Sequence, residues 1–349
     1  MIKIQLLKGV RNFEKLQQLI FVLTNQIIVI SGKEIHDKIP IDTQFYGSIG
    51  AKDLLISKGE NRFIYATSNK KLDEIYLPKG SLPRFKHFKE FILQEKNEKG
   101  ERLIIKYDLE TKKVLWKKDF DIGQFILVNS ILVGMDILNK EIYFINFDTG
   151  ETVNFIDISK ISSNSEESLN KPIAVSKTLG THDGILWLTL RNSTLVGFKV
   201  ENPSELYRIE LPEYFLHTYH IQQSQLDVVN KMIFGLFGSY YWEIDLDSKE
   251  YKVKVIDISS EINRTGIKPS PKGMGSWPFT NEYIYFGQGG AWADDDAYVG
   301  KFNRKTKKID WSSKEMGKEG TFKGINNLAF ANEHLYVLDY HKTLHILSE

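Results

Sequence analysis

The chain contains no cysteine. A disulfide framework, a thiolate metal site and cysteine catalysis are therefore excluded. No stretch approaches the ~18 consecutive apolar residues of a membrane-spanning helix. The opening segment, "MIKIQLLKGVRNFEKLQQ", has one short apolar run followed by charge, not the long apolar run and small-residue cleavage site of a secretory signal. An excess of one charge is missing too: 46 Lys+Arg stand against 45 Asp+Glu, a net charge of +1. That balance argues against a nucleic-acid partner, which usually meets a basic surplus on one face. Together these absences predict a soluble, cytoplasmic, monomeric protein with no membrane partner.

What is present is apolar and repetitive. Hydrophobic residues make up 42% and aromatics 12% of 349 residues, enough for a packed interior. That length predicts either two domains or one domain built from repeats. A unit of two short Ile/Val/Leu/Phe/Tyr runs, a polar turn and a third run recurs at 130–158, 184–211, 231–258 and 282–311. A further copy lies at 88–120, with weaker ones at 19–41 and 53–77. Alternation and β-branched richness make the runs strands. Turns such as Asp148-Thr149-Gly150, Asp247-Ser248-Lys249 and Glu110-Thr111-Lys112 use residues that bond their own backbone or tolerate unusual dihedrals.

Turn centres fall roughly 37 to 57 residues apart, the spacing of four-stranded propeller blades. Short strands at 123–129, 276–280 and 326–330 supply the innermost strand of three units. The end, "EHLYVLDYHKTLHILSE", supplies two strands and stops, whereas "MIKIQLLKG" is a strand without a unit. Pairing them would close a ring and leave no open sheet edge. The reading is therefore an all-β, single-domain β-propeller over 1–349. It has about eight blades, or seven if 19–41 and 53–77 merge. A pair of β-sandwiches or a solenoid is the alternative, and a lone terminal strand fits a closed ring better.

Two hairpins, "YDLETKKVLW" (107–116) and "FNRKTKKIDW" (302–311), are nearly the same. They resemble the tryptophan-docking repeat of the PQQ-like (quinoprotein dehydrogenase-like) propellers. In that pattern an acidic or amide residue opens the turn, a Thr and a basic residue follow, and a Trp ends the strand. Asp108, Thr111, Lys113 and Trp116 match it, as do Asn303, Thr306, Lys308 and Trp311. Tyr76, Phe155 and Tyr207 take the docking place in other copies. The resemblance implies that each indole packs between neighbouring blades. It carries no cofactor across, because the quinone-binding relatives use a vicinal disulfide and this chain has no Cys.

Candidate chemistry is sparse. The segment 286–302 carries a Gly-rich, triple-Asp loop, with Gly287, Gly289, Gly290, Trp292, Asp294, Asp295 and Asp296. EF-hand spacing and the Lys-Ser/Thr of a phosphate-binding loop are both absent, so a solvated hairpin tip is expected, with no metal and no cofactor. His217 and His220 form an HxxH pair without a recognisable third ligand, and ring packing is expected of them and of His341 and His345. A basic-aromatic run at 79–91 interleaves Lys79, Arg84, Lys86 and Lys89 with Phe85, Phe88 and Phe91, and reads as a connector. Three connections, 159–172, 259–275 and 312–324, are longer than blades require and share a face with the acidic loop. Long loops on a rigid scaffold are where binding resides. The expected function is thus a non-catalytic scaffold, an adaptor or immunity-type protein, that binds a protein partner. Trp277 and Trp292 would anchor the partner, and Asp294–Asp296 would steer its basic surface. The alternative is a hydrolase or lyase with a funnel site drawing on Asp294–Asp296, His217 and His220.

Overall fold

The computed structural model describes the chain except residues 25, 40–43, 50–52, 59–60, 69–70, 101, 121, 137–139, 162–173, 191–193, 213–222, 249, 271–275, 290–295 and 349. Among the described residues the strands form eight four-stranded sheets. In chain order these blades occupy 12–39 (blade 1), 44–75 (blade 2), 82–119 (blade 3), 122–157 (blade 4), 175–210 (blade 5), 225–257 (blade 6) and 279–323 (blade 7). Blade 8 takes three strands from 327–348 and its outer strand from Ile2–Lys8. Six of the blades are simple antiparallel meanders, each strand pairing with the next. The weak copies at 19–41 and 53–77 belong to separate blades, which settles the number at eight.

Blade 7 departs from the pattern. Its innermost strand is reduced to one bridge, Phe279 to Ile284, and the short strand Phe322–Lys323 pairs instead with Asp296 and Ala297. Contacts divide the chain into two compact units. One comprises 1–52, 56–59 and 222–349, with blades 1, 6, 7 and 8; the other comprises 53–55 and 60–221, with blades 3, 4 and 5. Each unit has its own core of Ile, Val, Leu and Phe from the inner strands.

The repeated hairpin has one geometry wherever it occurs. Asp108 accepts the backbone N–H groups of Glu110 and Thr111, both at 2.8 Å. Asn303 accepts those of Lys305 and Thr306 at 2.9 and 3.0 Å, and Asn146 does the same for Asp148 and Thr149. The side chain thus closes the turn that its own backbone cannot close. The amide of Thr111, foremost, holds the Asp108 carboxyl below its ordinary pKa. One residue per turn is left-handed: Lys112, Gly150 and Lys307 have φ of 56°, 71° and 61°.

These turns receive the preceding blade. Trp116, opposite Lys106 on the outer strand Lys113–Asp119, is 8% exposed and donates its indole N–H to the Phe147 carbonyl of blade 4 at 2.9 Å. Its ring lies on Gly150, where a Cβ would stand 2.7 Å from Cδ2. The indole is what requires glycine there, since Lys112 and Lys307 adopt a similar φ in their own turns. Tyr76 reaches the equivalent turn of blade 3, but Lys112 occupies the glycine place. The Tyr76 ring stays 65% exposed, with the Lys112 ammonium 5.6 Å from its centroid. Phe155 pairs with Tyr143, one position beyond the register of Trp116, and is exposed. Tyr207 holds the register, opposite Gly197, and is half-buried.

Trp311 sits opposite Lys301, the same register as Trp116, yet it is only half-buried. The next blade explains this. In blade 8 the residue aligned with Asn146 and Asn303 is Ser348, and the outer strand resumes opposite it at Ile2. The receiving turn is replaced by the meeting of two chain segments, and the indole packs at the margin of the core cluster of the first unit, as Met1 also does.

Closure is reinforced beyond strand pairing. Tyr336 donates its phenol to the Gly32 carbonyl at 2.5 Å, and burial pushes its pKa up to about 12. Asn332 Nδ2 donates to Gln18 O and Ser31 Oγ, Lys15 Nζ to Phe330 O, and Val10 N–H to Lys342 O. Blade 8 is thereby fastened to blade 1 at both ends of its strands.

Trp116→Ala is expected to destabilise the protein by about 3–5 kcal/mol, the usual cost of truncating a buried aromatic. Trp311→Ala should cost about 1–2 kcal/mol, because less apolar area is lost. Gly150→Ala should cost more in the parent than in Trp116→Ala, where only backbone strain remains. Denaturant titration of this cycle decides the matter: equal costs in both backgrounds would mean that the indole does not rest on residue 150. Removing residues 1–8 should expose the edge of Thr343–Ser348 and cause aggregation or a large fall in Tm. A monomeric variant with an unchanged melt would rule out closure by the N-terminal strand.

Candidate functional site

The residues expected to carry chemistry divide sharply. Asp296 opens a strand of blade 7, is exposed, and accepts from Lys323 Nζ at 2.6 Å. Trp292, Asp294, Asp295, His217 and His220 lie outside the described residues. The expectation that Trp277 is presented at a surface is corrected: it is 1% exposed, and its indole N–H donates to the Leu236 carbonyl at 2.9 Å. With the inner strand of blade 7 reduced to a single bridge, the indole packs edge-on to Phe286 and fills the core. His345 is buried, its Nε2 2.7 Å from Asp339 Oδ2 and its ring edge-on to Phe322, a packing arrangement within blade 8 and its surroundings.

The basic run of 79–91 engages its cations internally. Arg84 donates twice to Gln94 Oε1, at 2.8 and 2.5 Å. Lys86 pairs with Asp53, and Lys89 with Glu110 at 2.5 Å. Phe91 is buried and Phe85 packs partly inward, whereas Phe88 at the turn tip is 81% exposed. Burial lowers the Lys177 ammonium, on the inner strand of blade 5, to about 8.

Between blades 6 and 7 ions replace the indole. Glu243 stands in the register of Lys106, and both Lys254 (3.1 Å) and Lys307 (2.8 Å) bond its carboxylate. Lys254 holds the place of Trp116 and Lys307 that of Gly150, with its ammonium 4.1 Å from the Tyr241 ring. Beside this clasp Arg304 Nη1 donates to Asp227 at 2.5 Å and to the Thr280 carbonyl at 2.9 Å, both partners of the ion pair being buried. The guanidinium lies 4.4 Å from the Phe234 ring. Sequence reasoning read this hairpin as a docking motif and missed Arg304 and Lys307. The signal was there: Arg304 stands where the other hairpins have Leu109 and Phe147.

A cleft of ≈ 890 Å³ opens in the first unit, where blades 7, 8 and 1 meet. Blade 7 contributes Thr280, Asn281, Glu282, Tyr283 and Tyr285; blade 8 contributes Phe330, Glu333, His334 and Ser348; blade 1 contributes Lys33. Tyr285 and Phe330 are stacked, 4.3 Å apart at 12°, and Lys301 Nζ covers one face of Tyr283 at 3.7 Å. Lys33, Glu282 and Glu333 are exposed at the rim, and among the described residues none of the three forms an ion pair. His334 donates from Nδ1 to the Asn332 carbonyl. Aromatic walls with a charged rim suit recognition of a polar ligand more than bond cleavage.

BamB from Moraxella catarrhalis aligns over 99% of both chains with a TM-score of 0.55 and 13% identity. Apo AztD from Citrobacter koseri aligns over 87% of this chain and 85% of its own, with a TM-score of 0.53 and 10% identity. The fold is that of the PQQ-like β-propellers. The computationally designed Ika8 protein also matches, at a TM-score of 0.54 and 12% identity over 98% of this chain and 96% of its own. No protein-family model matches the sequence, and no curated protein is similar to it. In this propeller the cleft therefore lies at the blade completed by the N-terminal strand, flanked by turns between first and second strands.

The ionic junction makes the propeller sensitive to acid. Burial alone would raise the pKa of Glu243, but Lys307, Tyr241 and Lys254 hold it below the ordinary value; Asn230 and Arg304 do the same for Asp227 against its burial. A carboxylate with a depressed folded pKa stabilises fully above its unfolded pKa, and the effect is lost as pH falls through the folded value. Tm should thus be steady above about pH 5 and fall steeply below about pH 4. Glu243→Gln should flatten that fall, and Asp227→Asn should cost about 3–5 kcal/mol at neutral pH by leaving Arg304 buried and unpaired. A Tm profile in Glu243→Gln identical to the parent's would show that the clasp does not contribute.

Proposed function

We propose that the chain is a non-catalytic scaffold whose work is to hold a protein partner, as an adaptor or as an immunity-type protein that occludes what it binds. The cleft carries this reading. Its walls carry aromatic rings, its rim is charged, and the bonds of Tyr336 and Asn332 to blade 1 fix the turns at 32–33 and 332–333, so little order has to be imposed there on binding. A cytoplasmic location is part of the same proposal. A second contact is proposed through Trp292 and Asp294–Asp296, which would attract a basic partner surface; Asp296 is exposed at the end of the blade 7 strands opposite to Glu282 and Tyr283.

Crosslinking in the native cell should capture one protein. Once purified, that protein should bind with defined stoichiometry by calorimetry. Changing Asp294, Asp295 and Asp296 together to Asn should slow association and weaken its salt dependence. Turnover of a small-molecule substrate by the purified chain, or capture with no defined stoichiometry on reconstitution, would refute the scaffold reading.

A further inference from the structure

We infer that the cleft between blades 7, 8 and 1 receives an arginine-bearing, extended segment of the partner; the inference rests on the scaffold reading above. Charge is the first observation. Glu282 and Glu333 project from neighbouring first-to-second-strand turns into one rim and lack ion-pair partners among the described residues. Every other carboxylate cluster described above already has its cation: Glu243 has two lysines, Asp227 has Arg304, and Asp296 has Lys323. Among the described residues the cleft rim thus holds two unpaired carboxylates beside one lysine, Lys33.

The walls select the cation. A guanidinium is planar and weakly hydrated, it stacks on aromatic rings, and it pairs with carboxylates through fixed donors. The protein does this internally: Arg304 lies over Phe234 while bonding Asp227, and Lys301 and Lys307 lie over Tyr283 and Tyr241. Phe330, half-buried and backed by the buried Tyr285 stacked on it, offers the cleft an aromatic wall of the same kind beside Glu282 and Glu333. A volume of ≈ 890 Å³ exceeds one side chain, which calls for a segment of several residues. Lys33 sets the polarity of that segment. It comes from the turn that Tyr336 and Asn332 anchor and gives the rim a cation with which an acidic or carboxyl-terminal group of the segment would pair.

The test uses the full chain and a fluorescein-labelled RGRGR peptide, with EGEGE as the control, read by anisotropy at low and physiological salt. RGRGR should bind at least tenfold more tightly than EGEGE. Glu282→Gln with Glu333→Gln should weaken it at least tenfold with an unchanged melt, and Lys33→Gln should tighten it a few-fold. The inference is overturned if RGRGR shows no saturable binding up to millimolar concentration, if EGEGE binds equally, or if the double Gln variant binds like the parent. Should the captured partner bind that double variant undiminished, the cleft assignment falls while the scaffold reading stands. Should RGRGR bind as expected but no protein be captured, the scaffold reading is what fails.

Discussion

Everything in this protein hangs on one antiparallel pairing, that of Ile2–Lys8 with Thr343–Ser348. Blade 8 would otherwise have three strands and an open edge, and an open edge recruits other chains. The pairing also decides what stands beside it. A continuous hairpin would place a turn after Ser348, as Asn146 and Asn303 begin turns in blades 4 and 7. Its replacement by two chain segments leaves Trp311 half-buried and sets Ser348 on the wall of the cleft.

Elsewhere, the same spot in the blade is filled by different chemistry. The turn between third and fourth strands meets Trp116 through Gly150, Tyr76 through Lys112, and Glu243 with Lys254 through Lys307. The choice follows from one residue. Where it is glycine an indole can lie flat; where it is lysine, its cation needs a ring or a carboxylate. Buried apolar contact works at any pH, whereas the clasp depends on ionised carboxylates. The propeller is therefore uneven in what holds it, although its blades share one backbone plan.

The backbone plan was legible in the letters because strand alternation and turn-closing Asp or Asn residues are local signals. About eight blades and the closing strand followed from those signals; the choice against seven blades and the innermost strands that open blades 1, 2 and 3 at residues 12, 44 and 82 did not. Side-chain fates were less legible. Trp277 stands next to polar and glycine residues, which reads as exposure, but the nearly missing inner strand of blade 7 left a volume that only a large ring fills. Trp116 and Trp311 have the same motif, and their difference lies in the following blade, not in their own. The cleft was illegible for a related reason. Its lining comes from residues 33, 280–283, 285, 330, 333, 334 and 348, which no local pattern unites.

The division into two units bears on the order of synthesis. Residues 60–221 form most of one unit from contiguous chain, so that unit can assemble while the ribosome is still at work. The other unit joins 1–52 to 222–349, and its last blade needs partners more than 300 positions apart. Joining ends so distant adds entropy only logarithmically, so the thermodynamic cost of the long loop is modest, but non-local contacts form slowly. The N-terminal strand must therefore wait, with its pairing groups unmet, for as long as translation of the remaining chain lasts. For that interval the newborn chain is an edge in search of a sheet, and crowding, temperature and translation speed determine whether it finds its own.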